Sequence, residues 1–195
     1  MNQRLIGLTG GIATGKTTVS DYLRDRYHCP ILDADHYAKE AVKKGSPILN
    51  KIAERYGQKI LLENGELNRT KLGDIIFNDL AEKQWLESQI HPYVRDCFQQ
   101  QIKNLTDPVL VLSIPLLFEA QLTHLVTEIW VVSCPFEQQI QRLIQRNSLT
   151  EQQAIARIQN QLPLTDKIAQ ANVVLDNSRD REFLYKQIDQ FWHHC

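Results

Sequence analysis

A chain of 195 residues suits one compact domain with insertions better than two independent ones. Its 43% hydrophobic and 23% charged residues describe an ordinary globular protein, and 22 Lys plus Arg against 23 Asp plus Glu leave a net charge of -1. That balance excludes a general attraction to nucleic acid or to an anionic membrane, so any bound anion must be held by a local group of donors. Cys29, Cys97, Cys134 and Cys195 are scattered and form no CxxC pair, which predicts neither a disulfide framework nor a zinc site. No apolar run approaches the roughly 18 residues of a membrane helix. The first one, after Met-Asn-Gln-Arg, is too short for a signal peptide. The expectation is a reduced, cytoplasmic protein.

In chain order, short runs rich in Val, Ile and Leu occur at residues 4–8, 30–32, 109–114, 128–133 and 172–175. They predict five strands buried on both faces, the pattern of a parallel sheet. Val19, Leu23 and Tyr27 line one face of a helix after the first run, and Leu184, Ile188, Phe191 and Trp192 line another near the C-terminus. This alternation predicts an α/β fold: a doubly wound, parallel, five-stranded sheet with helices on both faces. Two stretches depart from it within the single domain of residues 1–195. Residues 36–105 hold helical segments, with turns at Gly45-Ser46-Pro47 and Asn64-Gly65, and form a helical insertion. Residues 135–165 form a helical pair split at Asn147-Ser148, with Thr150 and Gln153 as a capping box and Pro163 at the second helix's end.

The strongest motif is Gly10-Gly11-Ile12-Ala13-Thr14-Gly15-Lys16-Thr17, which fits G-x-x-x-x-G-K-[ST]. Glycines allow backbone angles closed to other residues, so that successive N–H groups through Thr18 face phosphate oxygens. The helix beginning near Lys16 adds its positive dipole end. Lys16 reaches the β/γ oxygens of ATP, and the Thr17 hydroxyl is suited to ligate Mg2+. An apolar strand before the loop and an amphipathic helix after it supply the required context. No G-x-G-x-x-G is present, which counts against a nicotinamide or flavin enzyme. The N-K-x-D and D-x-x-G of a GTPase are absent, and the strand at 109–114 ends without an Asp. A small-molecule kinase of the P-loop NTPase type remains.

Further along, the chain resembles the dephospho-coenzyme A kinase family over essentially its whole length. The resemblance rests on Gly7-Leu8-Thr9-Gly10-Gly11-Ile12, Asp33-Ala34-Asp35, Gly65-Glu66-Leu67-Asn68-Arg69, Ile90-His91-Pro92 and Ile114-Pro115-Leu116-Leu117-Phe118-Glu119. It continues through Gln138, Arg142, Arg146, Arg157, Gln161, Lys167 and Asn177. It implies that ATP phosphorylates the ribose 3′-hydroxyl of dephospho-coenzyme A, the last step of coenzyme A synthesis. Small-molecule substrates, no nucleic acid, no membrane and a monomer or weak homo-oligomer go with that reading. It also implies that residues 36–105 bind the acceptor, that 135–165 form a lid, and that Asn177 stands on the nucleotide side. The departures are Ala13 and Thr17 where the family usually has Gly and Ser, and Ser113 where an acidic residue often supports Mg2+. Asn172 and Ser178 depart as well.

Asp33 follows a buried strand at the carboxyl edge of the sheet, where α/β proteins bind ligands, and can accept the proton of the attacking hydroxyl. It or Asp35 can equally cap the helix that follows, and Asp35 suits that or a metal-side role. Arg142 and Arg146, four apart on one helix face, can close over the transferring phosphoryl group, with Arg157 on the next helix. Arg69 has the planar guanidinium that suits a pyrophosphate. His91 serves the acceptor or is a helix-end histidine, and Leu117 lines the acceptor or belongs to the core. His193, His194 and Cys195 are adjacent at a chain end, which favours a structural or idle role over metal binding. Two alternatives stay open: a kinase of a nucleoside monophosphate or other small metabolite, and a non-catalytic nucleotide-binding regulator.

Overall fold

The computed structural model describes residues 3–193. The chain divides into two compact units, one from Met1–Leu32 and Thr106–Cys195, the other from Asp33–Leu105. In the first, β1 (Arg4–Gly10), β2 (Ile31–Asp33), β3 (Val109–Ser113), β4 (Glu128–Ser133) and β5 (Val173–Asp176) form one sheet in the order β2-β3-β1-β4-β5. β1 pairs in parallel with β3 and β4, and β4 with β5. The expected doubly wound five-stranded sheet is therefore present. β1 is its central strand, buried from Ile6 to Gly10, hence an apolar run without alternation. It is longer than the 4–8 read from composition, because Thr9 and Gly10 still pair with Val131 and Val132 of β4.

α1 (Lys16–Tyr27) and α9 (Arg181–His193) bring Val19, Leu23, Leu184 and Ile188 onto Ile6, Leu8, Trp130 and Val132. Arg24 and Arg26 occupy the last turn of α1, where cations oppose the negative end of the helix dipole. Arg4 joins the ends of the sheet and of α9: it pairs with Glu128 and donates to the Trp192 and Phe191 carbonyls at 3.0 and 3.3 Å. His193 ends α9, while His194 and Cys195 lie outside the described residues.

α6 (Phe136–Asn147) and α7 (Glu151–Gln159) share a small apolar cluster of Ile140, Leu143 and Ala154. Ser148 in the left-handed region ends α6, and Thr150 and Gln153 cap α7 reciprocally. Pro163 does not end α7. It precedes a separate short helix, α8 (Leu164–Ala169), and its fixed φ suits it to that N-cap place.

The second unit is helical: α2 (Ala34–Ala41), α3 (Pro47–Tyr56), α4 (Arg69–Asn78) and α5 (Leu80–Asn104), with one isolated antiparallel bridge between Leu61 and Leu67. Each helix begins on a side chain that accepts its free N–H groups: Asp33, Ser46, Asn68 and Asp79 in turn. Ala41, Leu49, Ile52, Ile60, Leu72 and Leu86 form the core of this unit. α5 runs straight through Pro92, so His91 is a mid-helix residue rather than a helix-end one. Proline there forfeits a backbone hydrogen bond. Leu86 before it and Val94 and Phe98 after it are buried, so packing holds both halves of the helix in place.

Candidate active site

The Gly10–Thr17 loop leaves the central strand and enters α1, and backbone geometry explains its composition. Gly15, at φ 106°, occupies the left-handed region and supplies no side chain to the N-terminus of α1. A Cβ there would collide with the Asn177 amide. Ala13, at φ 61°, takes the same region with a side chain, at a cost of about 1 kcal/mol. Its methyl and Ile12 pack against the Ile140–Leu143–Ala154 cluster, which offsets that strain. α1 has no side-chain cap and no acid in its first turn, so no carboxylate of that turn offsets the positive end of its dipole.

The loop is braced from behind. Asn177, buried after β5, donates its side-chain N–H to the Thr14 carbonyl at 2.7 Å. Arg142 donates to the Ala13 and Thr14 carbonyls, both at 3.3 Å, and to the Asn177 carbonyl at 2.9 Å. The Gln138 side chain takes the same guanidinium at 3.2 Å and donates to the Ser178 carbonyl at 2.9 Å. Across a planar peptide C=O and N–H point in opposite directions. Holding the Thr14 carbonyl back therefore turns the Gly15 N–H the other way. The Gln161 side-chain oxygen accepts the Ile12 N–H at 2.8 Å, and the Thr14 hydroxyl donates to Gly11 O at 2.9 Å.

An ion pair between a buried lysine and a partly exposed glutamate supports this frame. Lys167 of α8 is fully buried, 2.7 Å from Glu119, which also accepts the Leu162 N–H at 3.0 Å beside Gln161. Glu119→Gln leaves that ammonium without its counter-charge. The expected result is a loss of about 3 kcal/mol, the lower end for broken buried pairs because Glu119 keeps some water contact. A urea midpoint measures it, and the double variant Glu119→Gln/Lys167→Met should recover part of the loss.

The remaining expected residues fall as follows. Thr17 is exposed in the first turn of α1, and Ser113 is buried at the end of β3. Arg146 and Arg157 are exposed; Arg146 bonds to its neighbour Asn147 and not to the loop carbonyls that take Arg142. Leu117 is fully buried, which places it in the core. In the helical unit Asp33 Oδ1 accepts the Asp35 and His36 N–H groups at 2.7 and 3.1 Å, so it is the cap of α2. A cleft of about 300 Å3 in that unit is lined by Leu72, Ile76 and Leu86 and by the charged Asp35, Lys39 and Arg69. His91 is exposed on α5. Burial pushes the Cys134 thiol above its ordinary value, partly opposed by Arg142 and reinforced by Asp176, so it stays protonated. Among the described residues no group of three His, Cys, Asp or Glu could hold a metal ion, and no helix is long and apolar enough to cross a membrane.

Sequence reasoning named Gln138, Gln161 and Lys167 without giving them a task, and overlooked Gln139, which is almost wholly buried. A signal for Gln139 existed: it stands four residues before Leu143 on α6, on the apolar face.

A parallel sheet whose central strand runs through G-x-x-x-x-G-K-T into a helix without a side-chain cap defines a nucleotide-binding protein of the P-loop class. The family model described as dephospho-CoA kinase matches residues 4–182. A dephospho-CoA kinase of Trichormus variabilis is 62% identical over 189 residues, 97% of this chain and 96% of its own length. A Thermus thermophilus protein of known crystal structure superposes with a TM-score of 0.83 at 30% identity, covering 98% of this chain and 97% of that one. The dephospho-CoA kinase from Campylobacter jejuni does so with a TM-score of 0.71, covering 98% and 96%; at 24% identity it speaks for the fold alone. The chain belongs to the dephospho-CoA kinase family.

Proposed function

We propose that this protein transfers the γ-phosphoryl group of ATP to the ribose 3′-hydroxyl of dephospho-CoA, giving CoA and ADP. The observation that carries the reading is the braced loop: carbonyls of residues 13 and 14 are held away by Arg142 and Asn177 at the uncapped start of α1. Amides so turned suit a chain of phosphates. Residues 10–18 bind the phosphates, Lys16 attracts the β and γ oxygens, Arg146 serves the nucleotide from α6, and Arg142 acts on it through the loop carbonyls it holds. Arg142 and Asn177 keep the loop in its gripping shape.

The donor set also fits Mg2+. Thr17 offers an exposed hydroxyl beside the loop. A Mg2+ ion keeps several waters and takes few protein ligands when phosphates share it, so the lack of a carboxylate cluster among the described residues is compatible with it. When bound, the ion neutralises charge on the β- and γ-phosphates.

Asp33 accepts the proton that the 3′-hydroxyl releases as its oxygen bonds to the γ-phosphorus and the bond to ADP breaks. Its Oδ1 is engaged at the start of α2, which orients the carboxylate and leaves Oδ2 outside the cap. Residues 36–105 receive the acceptor. There the cleft combines an apolar lining with the Arg69 and Lys39 cations, which suits a ligand with both a hydrocarbon arm and phosphates, and Asp35 offers an acceptor to the ligand's hydroxyl or amide groups. His91, exposed on α5 next to Ile90 of that lining, serves the same acceptor. Among the described residues Cys29, Cys97 and Cys134 are free, which fits a reducing compartment, and we assign the protein to the cytoplasm.

The test is acceptor-dependent ADP release with ATP and Mg2+. Dephospho-CoA should be turned over, and AMP and other nucleoside monophosphates should not. Turnover of a monophosphate instead, or nucleotide binding without any acceptor-dependent ADP, would reject the reading.

A further inference from the structure

The Gln139 side chain is 2% exposed, and its Oε1 is buried with no hydrogen-bond partner. Its Nε2 donates to the Cys134 carbonyl at 3.5 Å. Because a carbonyl only accepts, that contact fixes the nitrogen on the Cys134 side and the oxygen on the other. The oxygen faces the phosphate loop: a Cβ placed on Gly11 would come within 2.8 Å of it. Gly11 is thus the residue that leaves room for this carboxamide. A buried amide oxygen without a donor is costly, and folds retain few of them. Leu or Met would fill the same space on the apolar face of α6 without that cost.

We propose that Gln139 is a positioning residue of the phosphate loop, whose oxygen accepts an N–H of the loop when a nucleotide's phosphates draw the loop amides into place. The unpaired Gln139 oxygen is then a cost that phosphate binding relieves. Part of the protein's affinity for nucleotide comes from a group that never touches the nucleotide. The effect belongs to the phosphate side alone, because Gln139 stands on α6 beside the loop and not in the helical unit.

This inference rests on the reading that the loop binds the phosphates of ATP, and the experiment separates the two. Mg2+ with ADP, or with a non-hydrolysable ATP analogue, is titrated into wild type, Gln139→Leu and Gln139→Met, and the KM for dephospho-CoA is measured beside it. Wild-type protein that binds no nucleotide refutes the loop reading itself. The expected result for the variants is a nucleotide Kd raised about fivefold or more, corresponding to about 1 kcal/mol. The KM for dephospho-CoA should stay within about twofold, and the ligand-free Tm should be equal or higher. A merely structural glutamine would lower the ligand-free Tm and leave the nucleotide Kd alone. A nucleotide Kd raised less than fivefold in a folded variant overturns the proposal, as does a parallel loss of acceptor binding. Met is the second variant because its flexible chain fills the space if Leu does not fold.

Discussion

Replacing Asp33 by Asn should lower kcat by about 100-fold or more while leaving the KM for ATP near its wild-type value. The substitution is informative because Asp33 has a second task, accepting the Asp35 and His36 N–H groups at the start of α2. Asn is as good an N-cap as Asp, so the helix start and the stability survive, and only the basic carboxylate is lost. Asp33→Ala removes both and should cost about 1 kcal/mol of stability besides the activity. Steady-state kinetics with a thermal melt on each variant distinguishes the tasks. Wild-type turnover in Asp33→Asn would remove the residue from the chemistry and leave it a cap.

The second large effect is expected at Lys16. It is the first residue of α1, and Ala is the best helix former, so Lys16→Ala preserves the helix while removing the cation from the phosphates. Loss of one such positioned group costs about 10²–10³ in rate. Nucleotide affinity should fall as well, because phosphates are attracted in the ground state too, whereas the KM for dephospho-CoA should hold. Single-turnover transfer from ATP measures it. Transfer at an undiminished rate would mean that the phosphates lie elsewhere.

What could be read from residues alone follows how local the physics is. The loop is legible because its backbone angles and its close neighbours dictate residue type: Gly15 is needed both for its φ and for the space that Asn177 takes. The inner strands β3, β1 and β4 are legible because a parallel strand covered on both faces is largely apolar, and the edge strands β2 and β5, only partly buried, show as shorter apolar runs. The capping box of Thr150 and Gln153 spans three residues and so appears directly in the sequence. The supports of the loop do not. Arg142 and Asn177 meet Thr14 across 128 and 163 residues, and no local pattern says that their side chains turn toward loop carbonyls. Resemblance named both residues, but not the bonds they make. Pro92 misled in the other direction, because burial on both sides of it outweighs the local preference to stop a helix. Lys167 looks like a surface lysine until Glu119 is placed beside it.

The account depends on phosphates occupying the turn between β1 and α1. The most direct measurement is a titration of Mg2+ and ADP into the isotope-labelled protein, followed by amide NMR. The account predicts saturable shifts that are largest for residues 10–18. Saturable binding with those amides unmoved and shifts centred elsewhere would contradict it.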